Sequence, residues 1–372
     1  KDVKKASSEN KFSVISCFAG GGGSSTGYRL AGGKILLINE FVEEAISSYK
    51  KNYPDTPVLV DDIKKYSGQD FLNKVKLKEG ELDILDGSPP CSAFSVAGKR
   101  EKGWDKTKNY SDGKTVENIE DLFLDFIRVA KEIKPKVIVA ENVKGITFGE
   151  ATKKLNEFIK AFESIGYYVT YKVLNAADFG VPQARERTIF ICVREDVADA
   201  IGLSFLNLVG IFPGEFGYQI SMEDAIENIK NDENEIKELK EYYEGSFQKK
   251  FLDPIPFRPK RHMKPSDPEF RDWNPKASCF NMIRPCPTLP SPTLTQQGQK
   301  KGLSGVFHYA DNRKLTIKEL KRLMSLPEDY ELTGTFDQQA ERIGRMVAPK
   351  MMAEVAKSIY ENVLKPYNEV NK

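Results

Sequence analysis

Phe12-Ser13-Val14-Ile15-Ser16-Cys17-Phe18 runs straight into Ala19-Gly20-Gly21-Gly22-Gly23-Ser24-Ser25-Thr26-Gly27, and this junction decides the fold. The first part is a short, β-rich apolar run. The second opens a helix. Glycine lets the backbone turn sharply between them and approach a ligand closely; the other reading is a flexible surface turn. No Gly-Lys-Ser/Thr follows, which excludes a Walker A loop. The fingerprint Gly-x-Gly-x-x-Gly also fails, because counting from Gly20 its last position is Ser25. Glu40 lies 20 residues after Gly20, at the end of the next apolar run. A carboxylate there accepts hydrogen bonds from a ribose diol. The junction therefore predicts a nucleoside-bearing cofactor rather than a pyrophosphate.

Working outward, the pattern predicts strands at 12–18, 34–39, 82–86, 137–140, 167–174 and 188–193. It predicts helices running through Tyr49 and over 116–133 and 151–165, the latter two followed by Pro135 and Gly166. This alternation predicts an α/β fold with a largely parallel sheet and helices on both faces. The ligand crevice of such a sheet lies at the carboxyl ends of its strands. The pattern changes after Arg194. Residues 212–305 are rich in Pro, Lys and short apolar runs such as Pro254-Ile255-Pro256, which reads as an irregular second domain. Helical patterning returns over 316–325 and 336–363, the last helix packing back on the first domain. The expected boundaries are 1–200, 201–335 and 336–372. Residues 222–244 are acidic and read as one surface helix burying Ile226, Ile229, Ile236 and Leu239.

Composition narrows the class. The 372 residues are 30% charged and 40% hydrophobic, which fits a folded chain of two domains. The sequence holds no run of 18 apolar residues, and Lys1 to Lys11 carry no secretory pattern, so a cytoplasmic protein is expected. Five Cys do not make a disulfide framework. With only His262 and His308, His-rich metal sites are excluded and a Ser-His-Asp triad is disfavoured. The net charge is +2, yet residues 247–322 carry 16 Lys and Arg against 6 Asp and Glu. That imbalance reads either as a surface facing a polyanion or as a solvated Lys-rich surface.

Three further motifs end predicted strands or precede one. Gly87-Ser88-Pro89-Pro90-Cys91-Ser92 holds a thiol behind two prolines that fix φ. A thiolate on a rigid strand-end loop is a candidate nucleophile. Cys17, Cys192, Cys279 and Cys286 read as structural. Glu141-Asn142-Val143 reads as a proton-handling carboxylate or as a capping pair. Alternation along Gln183-Ala184-Arg185-Glu186-Arg187 places Gln183, Arg185 and Arg187 on one side, suited to a phosphate or carbonyl oxygen, or to a surface salt-bridge patch.

In this order the glycine loop, Pro-Pro-Cys, Glu-Asn-Val and Gln-x-Arg-x-Arg resemble the DNA cytosine-5 methyltransferase family, of the bacterial modification type, over residues 12–364. The resemblance implies a Rossmann-like sheet dependent on S-adenosylmethionine, with a smaller irregular target-recognition domain. Phe18, Ala19, Gly20, Gly22 and Gly23 would cradle the cofactor, Glu40 its ribose, and Asp62 and Ile63 its adenine. Phe41, Pro90 and Leu122 would share that pocket. Cys91 would be the nucleophile, Glu141 would meet cytosine N3 and the exocyclic amine, and Arg187 the carbonyl, with Arg185 close by. Ser95, Lys99, Arg100, Gln183, Arg284 and Thr293 would contact DNA. No metal is implied.

The implied partners are duplex DNA and a restriction endonuclease acting separately. The chain would act as a monomer in the cytoplasm, at the nucleoid. Three other readings compete: a tRNA-directed relative, a catalytically inactive DNA-binding relative, and a nicotinamide oxidoreductase. Cys279-Phe280-Asn281, where the tRNA branch carries Cys-Phe-Thr, favours DNA. The chain departs from the family at Ser92, usually Gln, and at Arg345, where the final motif usually has Asn beside the cofactor. That last contact is not carried over.

Overall fold

Seven strands form one sheet: β1 Phe12–Cys17, β2 Gly33–Glu40, β3 Val58–Val60, β4 Ile84–Gly87, β5 Val137–Val143, β6 Tyr167–Asn175 and β7 Glu186–Arg194. In this computed structural model, residues 2–89, 108–109, 115–116, 119–204, 206–270, 282–302 and 304–371 are described. The spatial order is β3-β2-β1-β4-β5-β7-β6. Pairs from β3 through β5 are parallel, and β7 runs antiparallel to β5. The order reverses between β1 and β4, which is where an open α/β sheet presents its ligand crevice.

Register then does the placing. Cys17 pairs with Asn39 on one side and Gly87 on the other, Glu40 with Val60, and Gly87 with Ala140. The glycine loop, Glu40, Asp61-Asp62 and Ser88-Pro89 therefore all lie along one edge of the sheet, with Glu141 on β5 one residue beyond Ala140.

The helices of the sheet unit before residue 214 are α1 Asp2–Ser7, α2 Gly23–Leu30, α3 Glu43–Asn52, α4 Gly68–Val75, α5 Ile119–Ile133, α6 Ala151–Glu163 and α7 Glu195–Ala200. Alternate strand residues Ile15, Cys17, Leu85, Ile138, Ala140, Phe190 and Cys192 join Phe71, Phe123, Phe126, Phe158 and Phe162 in one buried cluster. That period of two is what a pleated strand imposes. Phe123 stacks on Phe158 with ring centroids 3.7 Å apart. Ser16 and Asp86 belong to the opposite face.

The chain forms two compact units. One holds residues 1–174, 186–214 and 352–372; the other holds 175–185 and 215–351. In the second unit, Tyr243, Leu252, Ile255, Met282 and Phe307 form a small core. Its helices are α8 Met222–Ile226, α9 Glu233–Glu244, the single turn α10 Lys249–Leu252, α11 Ile317–Leu323 and α12 Phe336–Arg345; α13 Pro349–Ile359 runs out of it. The single acidic helix expected over 222–244 is thus two. Asp232 takes an extended conformation and its side chain accepts from the Asn234 N–H, starting a new helix there. Ile226 and Leu239 are buried, whereas Ile229 and Ile236 are half-buried. The helix expected over 336–363 also breaks, and α13 restarts at Pro349, a residue that suits a first helical turn.

Much of the positive charge of 247–322 is answered inside the same unit. Arg258 pairs with Glu223 and Lys301 with Glu238, while Arg261 lies 2.7 Å from Asp267 and Arg313 2.8 Å from Glu319. Among the described residues, no helix is long and apolar enough to cross a membrane.

Gly87 is fixed by close approach: a Cβ there would lie 2.4 Å from the Phe126 ring. Gly87→Ala is expected to lower the unfolding free energy by roughly 1–3 kcal/mol through overpacking, read from urea unfolding curves.

Candidate active site

The glycine loop is held from its side as well as its ends. Phe18, Gly20 and Gly22 all take positive φ, 54°, 54° and 88°. Ala19 N–H donates to the Asn39 carbonyl at 3.2 Å, and Gly22 N–H to the Ala19 carbonyl at 2.9 Å. Gly20 N–H donates to Glu40 Oε2 at 2.7 Å. The other oxygen of Glu40 accepts from Phe41 and Val42 N–H at 2.8 and 2.9 Å. One carboxylate thus fastens the loop to the end of β2.

Beside it opens a shallow cleft lined by Phe18, Asn39, Glu40, Phe41, Asp61, Asp62, Ile63 and Leu122. Six of the residues expected at a cofactor are brought together here: Phe18, Glu40, Phe41, Asp62, Ile63 and Leu122. Ala19, Gly20, Gly22 and Gly23 build the adjoining turn. Asn39 and Asp61 were not anticipated. Asn39 Nδ2 donates to the carbonyls of Leu59 and Asp61, holding the end of β3 against β2. Its place directly before Glu40 at a strand end was the available signal. Asp62 accepts from Lys64 N–H at 3.0 Å and so starts the 3₁₀ turn Ile63–Lys65.

The lining suits a nucleoside. A carboxylate offers about four acceptor directions, and three of those at Glu40 are taken by backbone N–H groups, leaving one for a ribose hydroxyl. Phe18, Phe41, Ile63 and Leu122 supply apolar surface for a base. The carboxyl groups of Glu40, Asp61 and Asp62 favour a cationic ligand and disfavour a pyrophosphate.

β4 ends at Gly87, followed by Ser88 and Pro89. Pro90, Cys91, Ser92, Ser95, Lys99 and Arg100 lie outside the described residues, as does Cys279. Cys17, Cys192 and Cys286 are buried and free. Burial pushes the Cys17 and Cys192 thiols well up, which makes them inert.

At the next strand end, Arg187 Nε lies 2.8 Å from Glu141 Oε1, both side chains mostly buried. The antiparallel register sets Glu141 opposite Ile189 and Arg187 opposite Val143, so the two share a face and meet diagonally. Burial pulls the Arg187 guanidinium down from its usual value, and the Glu141 charge opposes this. A carboxylate and a guanidinium in fixed contact can present an acceptor and donors to one planar ring. Arg187 also donates to its neighbour's carbonyl, that of Glu186, at 2.8 Å.

The other polar residues of the expected set are engaged within the second unit. Arg185 donates to the carbonyls of Leu294 and Gly344 at 2.9 and 3.0 Å and is 2% exposed. Reading it as a hand for a phosphate or a base carbonyl gives way to a structural role. Gln183 donates to the Leu323 carbonyl and accepts from Leu294 N–H. Thr293 Oγ1 donates to the Ala184 carbonyl at 2.6 Å. Arg284 is fully buried, donating to the carbonyls of His308, Asp311 and Leu252 and to Asn312 Oδ1. In this structure these four hold an irregular chain together. Arg345 pairs with Glu341, which lies 2.7 Å from Lys300. Arg185→Ala and Arg284→Ala should each cost roughly 1–3 kcal/mol of stability, because buried carbonyls lose their donors. DNA affinity per folded molecule should stay within a factor of about three, since both guanidiniums are buried among backbone carbonyls; urea unfolding and DNA titration check both.

The model of the C-5 cytosine-specific DNA methylase family matches residues 12–361. The type II methyltransferase M1.HphI of Haemophilus parahaemolyticus is 32% identical over 352 residues, 93% of this chain and 86% of its own. M.NgoFVII of Neisseria gonorrhoeae is 30% identical over 371 residues, 98% and 91%. The crystal structure of a candidate DNA modification methyltransferase from an E. coli prophage superposes with a TM-score of 0.68, covering 95% of this chain and 99% of that one. At 20% identity that likeness speaks for the fold. With the family model spanning nearly the whole sequence, the chain belongs to the C-5 cytosine-specific DNA methylase family and is a DNA cytosine-5 methyltransferase.

Proposed function

We infer that the chain transfers a methyl group from S-adenosylmethionine to C5 of a cytosine flipped out of duplex DNA, through a covalent bond between Cys91 and C6. The observation that carries this reading is the cleft around Phe18 and Glu40, placed by strand register on the same sheet edge as β4, which leads to Cys91, and the Glu141–Arg187 pair. When bound, S-adenosylmethionine supplies an electrophilic methyl on a sulfonium. Glu40 would accept a ribose hydroxyl, and Ile63 and Leu122 would offer apolar surface to the adenine. The target ring is unreachable inside a duplex, so it is extruded, at a cost of roughly a few kcal/mol.

The residues then act in order. Cys91, as thiolate, forms a bond to C6, and Glu141 at N3 supports the charge that builds in the ring. C5 becomes enamine-like and takes the methyl. Loss of the C5 proton and breaking of the C6–S bond restore aromaticity and release the thiolate. Arg187 holds the base carbonyl and, through its contact with Glu141, orients that carboxyl. A single chain carries all these groups, which supports action as a monomer. Relatives named type II methyltransferases support a role as the modification half of a pair, with a separate endonuclease reading the same sequence in the cytoplasm.

The test uses labelled S-adenosylmethionine with mixed duplex DNA, nucleoside digestion and mass spectrometry. Wild type is expected to yield 5-methylcytosine; Cys91→Ser is expected to yield none while still binding the cofactor. Product in the Cys91→Ser variant overturns the covalent route, and label in tRNA alone overturns the DNA substrate. Glu141→Gln should lower kcat by roughly 10²–10⁴-fold with little change in cofactor affinity, measured by steady-state methyl transfer.

A further inference from the structure

Asp86 takes no part in the chemistry above, yet it is the last residue but one of β4, five before Cys91. It is 2% exposed, on the sheet face away from Phe126. Its Oδ2 accepts from Ser16 Oγ and Ser24 Oγ, each at 2.7 Å, and its Oδ1 from Tyr28 OH at 3.1 Å. Ser16 is its register partner on β1. Ser24 and Tyr28 stand on α2, the helix that the glycine loop opens. Three hydroxyls from two elements therefore converge on one buried carboxylate. An apolar side chain would fill this space without the cost of burying a charge. What the carboxylate adds is direction, since it ties α2 to the strand that leads to the nucleophile.

We propose that Asp86 is a positioning residue, locking the glycine loop and its helix to β4 so that cofactor and nucleophile keep a fixed separation. The proposal rests on the functional reading given above. It predicts a dependence on pH. Burial pushes the Asp86 carboxyl up to about 6, the Ser24, Ser16 and Tyr28 hydroxyls opposing this and Glu141 adding to it. Among the described residues, the other titratable groups near enough to feel its charge are Cys17 on the other face of β1, Tyr28 on α2 and Tyr49 on α3, each pushed up by burial and so neutral. Above pH 6 the ionised carboxylate accepts all three hydroxyls. Below it a fourth hydrogen enters the cluster, one hydroxyl must turn away, and the lock loosens.

The test is calorimetric binding of S-adenosylhomocysteine from pH 5 to 8, with kcat and KM for methyl transfer alongside. Wild type should lose about tenfold in affinity as pH falls through 6, the equivalent of one charge-assisted hydrogen bond. Asp86→Asn should bind about tenfold more weakly at pH 8, for the same lost charge, with a profile that no longer bends near pH 6. Its kcat/KM for cofactor should fall in step while DNA affinity holds. Ser24→Ala and Tyr28→Phe each remove one donor and should give intermediate losses; they decide the matter if Asp86→Asn does not fold. Wild type that binds while these variants match it in affinity and pH profile overturns the proposal alone. Wild type that binds no S-adenosylhomocysteine at any pH overturns the functional reading and this proposal with it.

Discussion

The in-register parallel pairing of β1 with β4 is the constraint on which the rest depends. Ser16 faces Asp86 and Cys17 faces Gly87, while Cys17 also faces Asn39 and Gly87 faces Ala140. Four strands thereby finish on one line, and the residues just past their ends need no further device to meet. A slip of one residue between β1 and β4 would turn Asp86 into the phenylalanine core and Leu85 out of it. The burial pattern punishes that slip heavily, so the alignment of the motifs is a by-product of packing.

What the sequence made legible follows from punctuation. The glycines after Phe18, the prolines after Ser88 and Pro135 all stop elements for reasons local to the chain. The 20-residue interval from Gly20 to Glu40 was readable because one strand–helix–strand unit has a narrow range of lengths. Arg185, Arg284 and Gln183 were not readable in the same way. A guanidinium that answers buried carbonyls and one that answers a phosphate look alike in sequence, and only burial separates them. Asp86 was illegible for another reason: its three donors lie 58 to 70 residues away. Likewise some of the acids that neutralise the basic stretch come from α8 and α9, which precede it in the chain.

The second unit shows how an irregular chain is made to hold. With few ladder hydrogen bonds, many backbone carbonyls are left to other partners. Long cationic side chains reach them from within. Arg185 and Arg284 do so with several donors each, and Lys314 donates to the Gly298 carbonyl at 2.8 Å with its ammonium over the Phe307 ring. Burial brings the Lys314 ammonium down to about 7.

The sheet unit is built from three separated stretches of chain, and its last stretch, 352–372, carries Met352, Val355, Ala356, Ile359 and Val363 into the interior. Tyr360 sets its ring 5.8 Å from that of Phe12, near the other end of the sequence. A polypeptide leaving the ribosome therefore holds β1 to β7 while residues 195–351 are made, with one face lacking its final cover. Contacts of such sequence separation close slowly. The sheet is therefore covered only once residues 352–372 have been made, and until then its exposed apolar face favours association with other chains.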